Sequence, residues 1–411
     1  MGTARRAPTI DNDGITKIMT DQTPPPCDLP PQRNTPNLRQ LLLWLGLAAV
    51  LLALVWQTGG LHMVLLYLIG LALGFAFLHS AFGFAGAYRR FILDRDARLV
   101  NGQLLLLALT GILFAPLFAQ GEWMGLELSP ASAPVSVSVA IGAFMFGIGM
   151  QLSGGCGSGT LFALGSGNLR MGIVLLAFCG GAFWGSLDLY KWEALPGVDE
   201  IVLGDQLGWF GATLLQIAAL ALIWLMVRRA AREQPAQPVR RYHLWRGPWP
   251  LWAGITAIAL LSVLTLLIAG HPWSITWAFS LWAAKAAALL GWNPASSDFW
   301  QGDFQTYALA HSVLQDETSV MDFGAMLGAA IAASLAGKMR MNLNFAWRPV
   351  LAALLGGLAM GYGARLAYGC NIGALYSGIA STSVHGWLWL AAALPGVWIG
   401  VKLRPLFNLQ R

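Results

Sequence analysis

At 411 residues the chain is long enough for one large or two modest soluble domains, but 56% of it is hydrophobic and only 11% charged, against about 25% charged in an ordinary soluble domain. A net charge of +6 would suggest a nucleic-acid partner in a soluble protein; here the basic residues fall in short loops between apolar runs and read as topology signals, so no nucleic acid is expected. The apolar runs reach 18 residues or more, enough to cross a hydrocarbon core about 30 Å thick. They are too long and continuous for barrel strands, which leaves an all-α polytopic membrane protein in a lipid bilayer.

Residues 1–37 are polar, with a proline cluster (Pro24, Pro25, Pro26, Pro30, Pro31) and no apolar stretch ahead of a cleavage site. They are expected to form a disordered cytoplasmic tail rather than a signal peptide, with Cys27 inert. Ten spans follow, near 38–57, 61–80, 98–119, 134–152, 169–190, 206–228, 249–269, 320–338, 347–366 and 384–404. Two shorter apolar stretches, 81–95 and 272–292, read as re-entrant or interfacial segments.

Loop charges agree with this count. Alternation of ten spans puts Arg89, Arg90, Arg95 and Arg98, the run from Arg228 to Arg246, Lys338, Arg340, Arg348, and the terminal Lys402, Arg404 and Arg411 on one side. The other side receives Glu122, Glu127, Glu193, Asp199, Glu200, Asp205, Asp298, Asp303, Asp316 and Glu317, with Lys191 the main exception. The excess of positive charge then predicts that both termini are cytoplasmic.

A shift of 214 residues aligns Gly142 with Gly356, Gly147 with Gly361, Gly149 with Gly363, Gly155 with Gly369, Cys156 with Cys370, Gly159 with Gly373, Gly172 with Gly386 and Trp184 with Trp398. Five spans per half make the halves run in opposite senses, so two inverted-topology repeats are expected, 38–205 and 206–411, with a site between them near the midplane.

Of the four cysteines, Cys27, Cys156, Cys179 and Cys370, none forms a CxxC. No zinc site, redox pair or disulfide framework is signalled, and no metal or cofactor is expected. Cys156 and Cys370 each stand in a Gly-Cys-x-x-Gly motif after an apolar span and before a short helical stretch. Gly155, Gly159, Gly369 and Gly373 let the backbone break and approach a ligand or a neighbouring helix. The freed N–H groups at the new helix N-terminus face an anion. Ser153 and Ser158 add hydroxyls in the first copy, and Asn371 an amide in the second. A thiol, soft and a weak donor, suits a sulfur-bearing solute better than a hard oxyanion. The competing reading, small packing residues at Gly-rich crossings, weakens when two cysteines occupy equivalent positions; Cys179, which aligns with Ala393, is read as packing.

Ionisable residues within a membrane are costly and usually functional. His79, Lys285 and Arg365 fall in or beside apolar runs, and His271 sits at a turn. Lys285 and Arg365 are candidates to attract an anion, with snorkelling to an interface the competing reading. His271 and His79 are read against ordinary interfacial contacts. No acidic residue stands out as buried in a span, and no Walker A motif occurs, so facilitated passage is the simplest expectation.

The segments GGCGSG at 154–159, YGCNIG at 368–373 and GHPWSITWAFSLWAAK at 270–285 resemble the YeeE/YedE family of bacterial inner-membrane proteins, the sulfur-transport group. The likeness covers roughly residues 60–404, and the third segment is typical of longer, YedE-like members. The resemblance implies an inverted-repeat, hourglass-like fold with a cysteine-lined central path. It implies uptake of thiosulfate, with some longer members linked to selenium metabolism, and handover to a small cytoplasmic sulfur-carrier protein. Carried over, Cys156 and Cys370 become relay residues whose thiols briefly hydrogen-bond the terminal sulfur of the ion. The family's thiosulfate importers carry further cysteines on the path; here Gly83 and Trp277 stand in those neighbourhoods. The alternatives are a membrane-embedded thiol-dependent sulfur transferase or redox enzyme, and a structural subunit. Neither motif has a histidine close by to activate the thiol, so a permease rather than an enzyme is expected.

Overall fold

The computed structural model describes residues 36–232, 243–339, 341 and 346–409. Most of the predicted tail, with Cys27, lies outside the described residues, as do Arg240, Arg241, Arg340 and Arg411. The described chain is helical apart from two short antiparallel ribbons.

One helical stretch, Leu38–Ser80, is broken at Gly60, whose φ of 64° and ψ of −157° no helix allows. The break is a reversal. Tyr67 Oη donates to the Ala48 carbonyl at 3.1 Å, across 19 residues that a straight helix would hold about 28 Å apart. The stretch is therefore two antiparallel helices, α1 (38–59) and α2 (61–80). Then come α3 (Phe84–Asp94), α4 (Arg98–Gln120), the hairpin β1 (Glu122–Trp123) and β2 (Leu126–Glu127), β3 (Pro134–Ser136), α5 (Val137–Ser153), α6 (Gly157–Gly165), α7 (Arg170–Glu193), β4 (Gly197–Glu200), α8 (Leu203–Leu207) and α9 (Trp209–Ala230). They are followed by α10 (Leu251–Ala269), α11 (Thr276–Leu289), α12 (Asp303–Ala310), α13 (Glu317–Leu335), α14 (Trp347–Leu366), α15 (a π-helical Asn371–Ser377 running into Gly378–Ala380) and α16 (Val384–Leu403). β3 pairs with β4 antiparallel.

Nine stretches among the described residues are long and apolar enough to cross a membrane, and the first of them holds α1, α2 and α3. With the reversal at Gly60 the ten expected spans are present, as α1, α2, α4, α5, α7, α9, α10, α13, α14 and α16. At 11 and 14 residues, α3 and α11 reach about 17 and 21 Å, short of the roughly 30 Å a span needs. They occupy the two stretches read as re-entrant. α6, with 9 residues, is shorter still.

The 214-residue shift carries the first residue of α6 onto the first of α15, and the first of α7 onto the first of α16. α5 and α14 cross antiparallel, backbone against backbone. A Cβ at Gly142 would lie 2.5 Å from the Gly363 carbonyl oxygen, and one at Gly149 would lie 2.6 Å from that of Gly356. Gly142 aligns with Gly356 and Gly149 with Gly363, so the two contacts are one contact seen twice, the reciprocity of an isologous interface. The neighbouring pairs repeat the exchange: α5 packs on α16, and α14 on α7. Small residues permit this approach where apolar side chains gain nothing over lipid.

Candidate functional site

Both motif cysteines are buried, Cys156 at 1% exposure and Cys370 at 0%. Each is the N-cap of a short helix and holds an extended backbone, with φ −90° and ψ −169° at Cys156 and φ −100° and ψ −164° at Cys370. Before Cys156, α5 ends on Gly154 in the left-handed conformation, φ 86°, which glycine adopts without a Cβ penalty. The two short helices meet at their starts: a Cβ at Gly157 would lie 3.2 Å from the Cys370 sulfur; within α6, one at Gly159 would lie 3.5 Å from the sulfur of its own cap, Cys156. Cys156, Cys179 and Cys370 share one apolar cluster with Phe178, Ile275 and Phe279.

The polar groups around the sulfurs differ. Cys156 Sγ lies 3.4 Å from Ser158 Oγ, and Cys370 Sγ accepts from the Ile372 N–H at 3.4 Å. Ser153, expected to offer its hydroxyl to the path, donates instead to the Gly155 carbonyl at 2.9 Å and braces the chain break. Gly369 accepts from the Trp389 indole at 3.2 Å, and Gly155 lies against Gly159. Asn371 is fully buried, and neither its amide nitrogen nor its amide oxygen has a partner. An orphaned amide in a dry place is costly unless something visits it.

Of the expected cations, Arg365 is brought towards the motif. It borders a cavity of about 80 Å³ with Ser274, Thr276, Ser280 and Tyr368, and a Cβ at Gly373 would sit 3.2 Å from Ser274 Oγ. Its guanidinium lies 4.2 Å from the Phe299 ring centroid, and its Nε has no hydrogen-bond partner. Tyr368, at the cavity wall, donates to Glu193 at 2.8 Å. Lys285 is held elsewhere: it donates to the Leu309 and His311 carbonyls at 2.8 and 2.6 Å, at the end of α12. His271 also lies apart, bound to Glu317 at 2.9 Å beside a cavity of about 240 Å³, and Glu317 is shared with His62 at 2.7 Å. Burial opposes charge on His271, but the Glu317 carboxylate and the Pro272 carbonyl outweigh it and raise its pKa above the ordinary value. His79 packs against Phe75 and Trp249. Gly83 caps α3 beside Phe162, and Trp277 donates to Asp316 at 2.8 Å.

The expectation that no acidic side chain is buried in a span is overturned. Asp322, in α13, has 0% exposure, and neither of its oxygens has a hydrogen-bond partner. The sequence did carry a signal: an aspartate inside the apolar stretch 320–338.

These features define a class, a polytopic α-helical membrane protein with broken helices meeting at a dry centre. The chain belongs to the sulphur transport family, which matches it over residues 79–399. It is 26% identical over 341 residues to the thiosulfate transporter TsuA of Spirochaeta thermophila, covering 80% of this chain and 96% of that protein. TsuA of Escherichia coli is 24% identical over 358 residues, 82% of this chain and 94% of that one. The probable transporter YedE of Escherichia coli is 31% identical over 163 residues, 38% of this chain and 40% of YedE, so this match takes in less than two thirds of that relative.

Proposed function

We propose that this protein is a permease for a small sulfur-containing anion, thiosulfate first and related sulfur or selenium species second, in the bacterial cytoplasmic membrane. The ion passes between two inverted-topology halves, 38–205 and 206–411, over Cys370 and Cys156. One observation carries the reading: two buried cysteines, each capping a broken helix, with the helix starts in contact. That arrangement aims N–H groups and soft sulfur at a single point, which suits an ion with both oxygen and sulfur surfaces. The reciprocal glycine contacts of α5 and α14 support the inverted repeat. The names of the relatives that align along most of their length support the substrate.

In this reading Arg365 gathers the anion in the cavity beside Ser274, and Asn371 donates to its oxygens as it reaches Cys370. Loop charge puts both termini, and the handover to a sulfur-carrier protein, in the cytoplasm. The test is uptake of labelled thiosulfate by liposomes holding the purified protein, beside Cys156→Ala and Cys370→Ala. Uptake that needs both cysteines is the expected result. No uptake by folded protein removes thiosulfate, and a persulfide on either cysteine after turnover would replace the permease with a sulfur transferase.

A further inference from the structure

Asp322 is a charged-type residue in an unusual place, fully buried in a spanning helix with both oxygens unpartnered. Its surroundings follow from helix periodicity. Met321, Gly324, Ala325 and Gly328 pack on α2, and Phe323 stacks on Trp282 of α11. Asp322 shares the remaining stripe with Ser319, one turn before it, and with Met326 and Ala329, which press on Gly165 of α6. Trp282 donates to Ser319 Oγ at 2.9 Å. Asp322 therefore faces the seam between α11 and the Cys156 helix, on the inner side of α13.

Among the described residues, the titratable groups around it offer no neutralising cation. Cys179 of α7, Cys370 and Asp316 lie within electrostatic reach. On α2, Tyr67 is bonded to the Ala48 carbonyl and His62 to Glu317, and His79 packs among aromatic rings. Lys285 on α11 is bonded to the Leu309 and His311 carbonyls. α6 brings only Cys156, at its cap. A carboxylate here would lack both donor and counter-charge, at a cost of several kcal/mol; a neutral acid carries a hydrogen it can donate. The nearest polar groups on the same stripe lead outward from Asp322, one turn away and not bonded to it. Ser319 Oγ donates to Asp316 at 2.6 Å, and Asp316 lines the 240 Å³ cavity with His271 and Glu317.

We propose that Asp322 is the proton-carrying site of the permease, so that each anion crosses together with a proton held by this carboxyl. This rests on the permease reading above. The proton arrives from the Asp316 side and stays on the carboxyl, whose O–H hydrogen-bonds the divalent anion near Cys370; the carboxyl releases the proton to water on the far side as the anion leaves. One negative charge moves net per cycle.

Proteoliposomes with an entrapped pH dye, potential clamped, report thiosulfate uptake and lumenal pH in the same vesicles. With wild-type protein, thiosulfate acidifies the lumen, and a gradient of one pH unit, acid outside, raises steady-state accumulation by up to about tenfold, the limit for one coupled proton. Asp322→Asn takes up thiosulfate without acidification and ignores the gradient, while Asp322→Glu keeps both responses. The proposal is overturned if wild-type uptake leaves lumenal pH unchanged, or if Asp322→Asn acidifies as wild type does. Should Asp322→Asn carry no flux, Asp322→Glu decides: flux with acidification upholds the carboxyl, and flux without it, or no flux in folded protein, overturns it. Absence of any wild-type uptake would instead remove the permease reading itself, a distinct result.

Discussion

The two cysteine motifs sit on the same scaffold and differ in chemistry. In the first, α6 is a regular α-helix and the Cys156 sulfur has a serine hydroxyl 3.4 Å away. In the second, the helix opens in a π-turn, the Cys370 sulfur accepts a backbone N–H, and the neighbouring Asn371 amide has no partner. π-turns are rare and cluster at functional sites. The difference separates what a repeat supplies from what a site needs. The two motifs share two caps, two chain breaks and a close crossing; in the proposed reading, recognition is concentrated at the motif beside Arg365.

The comparison is broken most severely by removing a sulfur. Cys370→Ala and Cys156→Ala should each lower the initial rate of thiosulfate uptake by about a hundredfold or more, ~2.7 kcal/mol; a weak effect at Cys156 alone would leave Cys370 as a single-cysteine site. Next comes the orphaned amide. Asn371→Ala should raise the half-saturating concentration about tenfold, since a hydrogen bond to a charged group contributes about 1.5–3 kcal/mol. Ser158→Ala should cost about fivefold at most, for a bond of about 1 kcal/mol. Equal effects would erase the asymmetry. Arg365→Gln should raise half-saturation by a similar factor, and high salt should change that difference little, because the cation lines the cavity and is largely shielded from solvent. Gly149→Leu forces a side chain to within 2.6 Å of a carbonyl oxygen and should destabilise the bundle by about 1–3 kcal/mol or more, read as a lower midpoint of detergent denaturation.

The smallest effect lies away from the cysteines. His271 has a raised pKa through its Glu317 contact, so this contact contributes fully below about pH 6.5 and is lost as pH rises through the raised value. Wild-type thermal stability should therefore fall slightly across that window on going alkaline, and His271→Asn should flatten the slope.

Much of this was legible from the chain. Spans are written as apolar length, and 38–80 divided into two spans because a stretch of 43 residues exceeds any one crossing; that the break falls at Gly60 came from the structure. Cys156 and Cys370 could be paired from the 214-residue register alone. Lys285 and His271 were harder. Whether an intramembrane cation faces a path or a helix end depends on rotation about its helix, and only the packing shows that the carbonyls at the end of α12 hold Lys285. Ser153 has a local partner that the motif did not reveal: a serine two residues before a Gly carbonyl can turn back onto its own chain, as it does at 2.9 Å. Asp322 was visible as a letter but not as an orphan, because partners from other helices are not written beside it.

The glycine crossing has a mechanical corollary. Two helices in contact through bare backbone have no side-chain cushion to deform, and a Cβ at Gly142 or Gly149 would already lie 2.5 or 2.6 Å from a carbonyl oxygen of the opposing chain. The crossing can rock slightly but cannot slide. It is a bearing, and in a molecule built round a bearing movement is expected first in the short helices hung beside it rather than in the long ones.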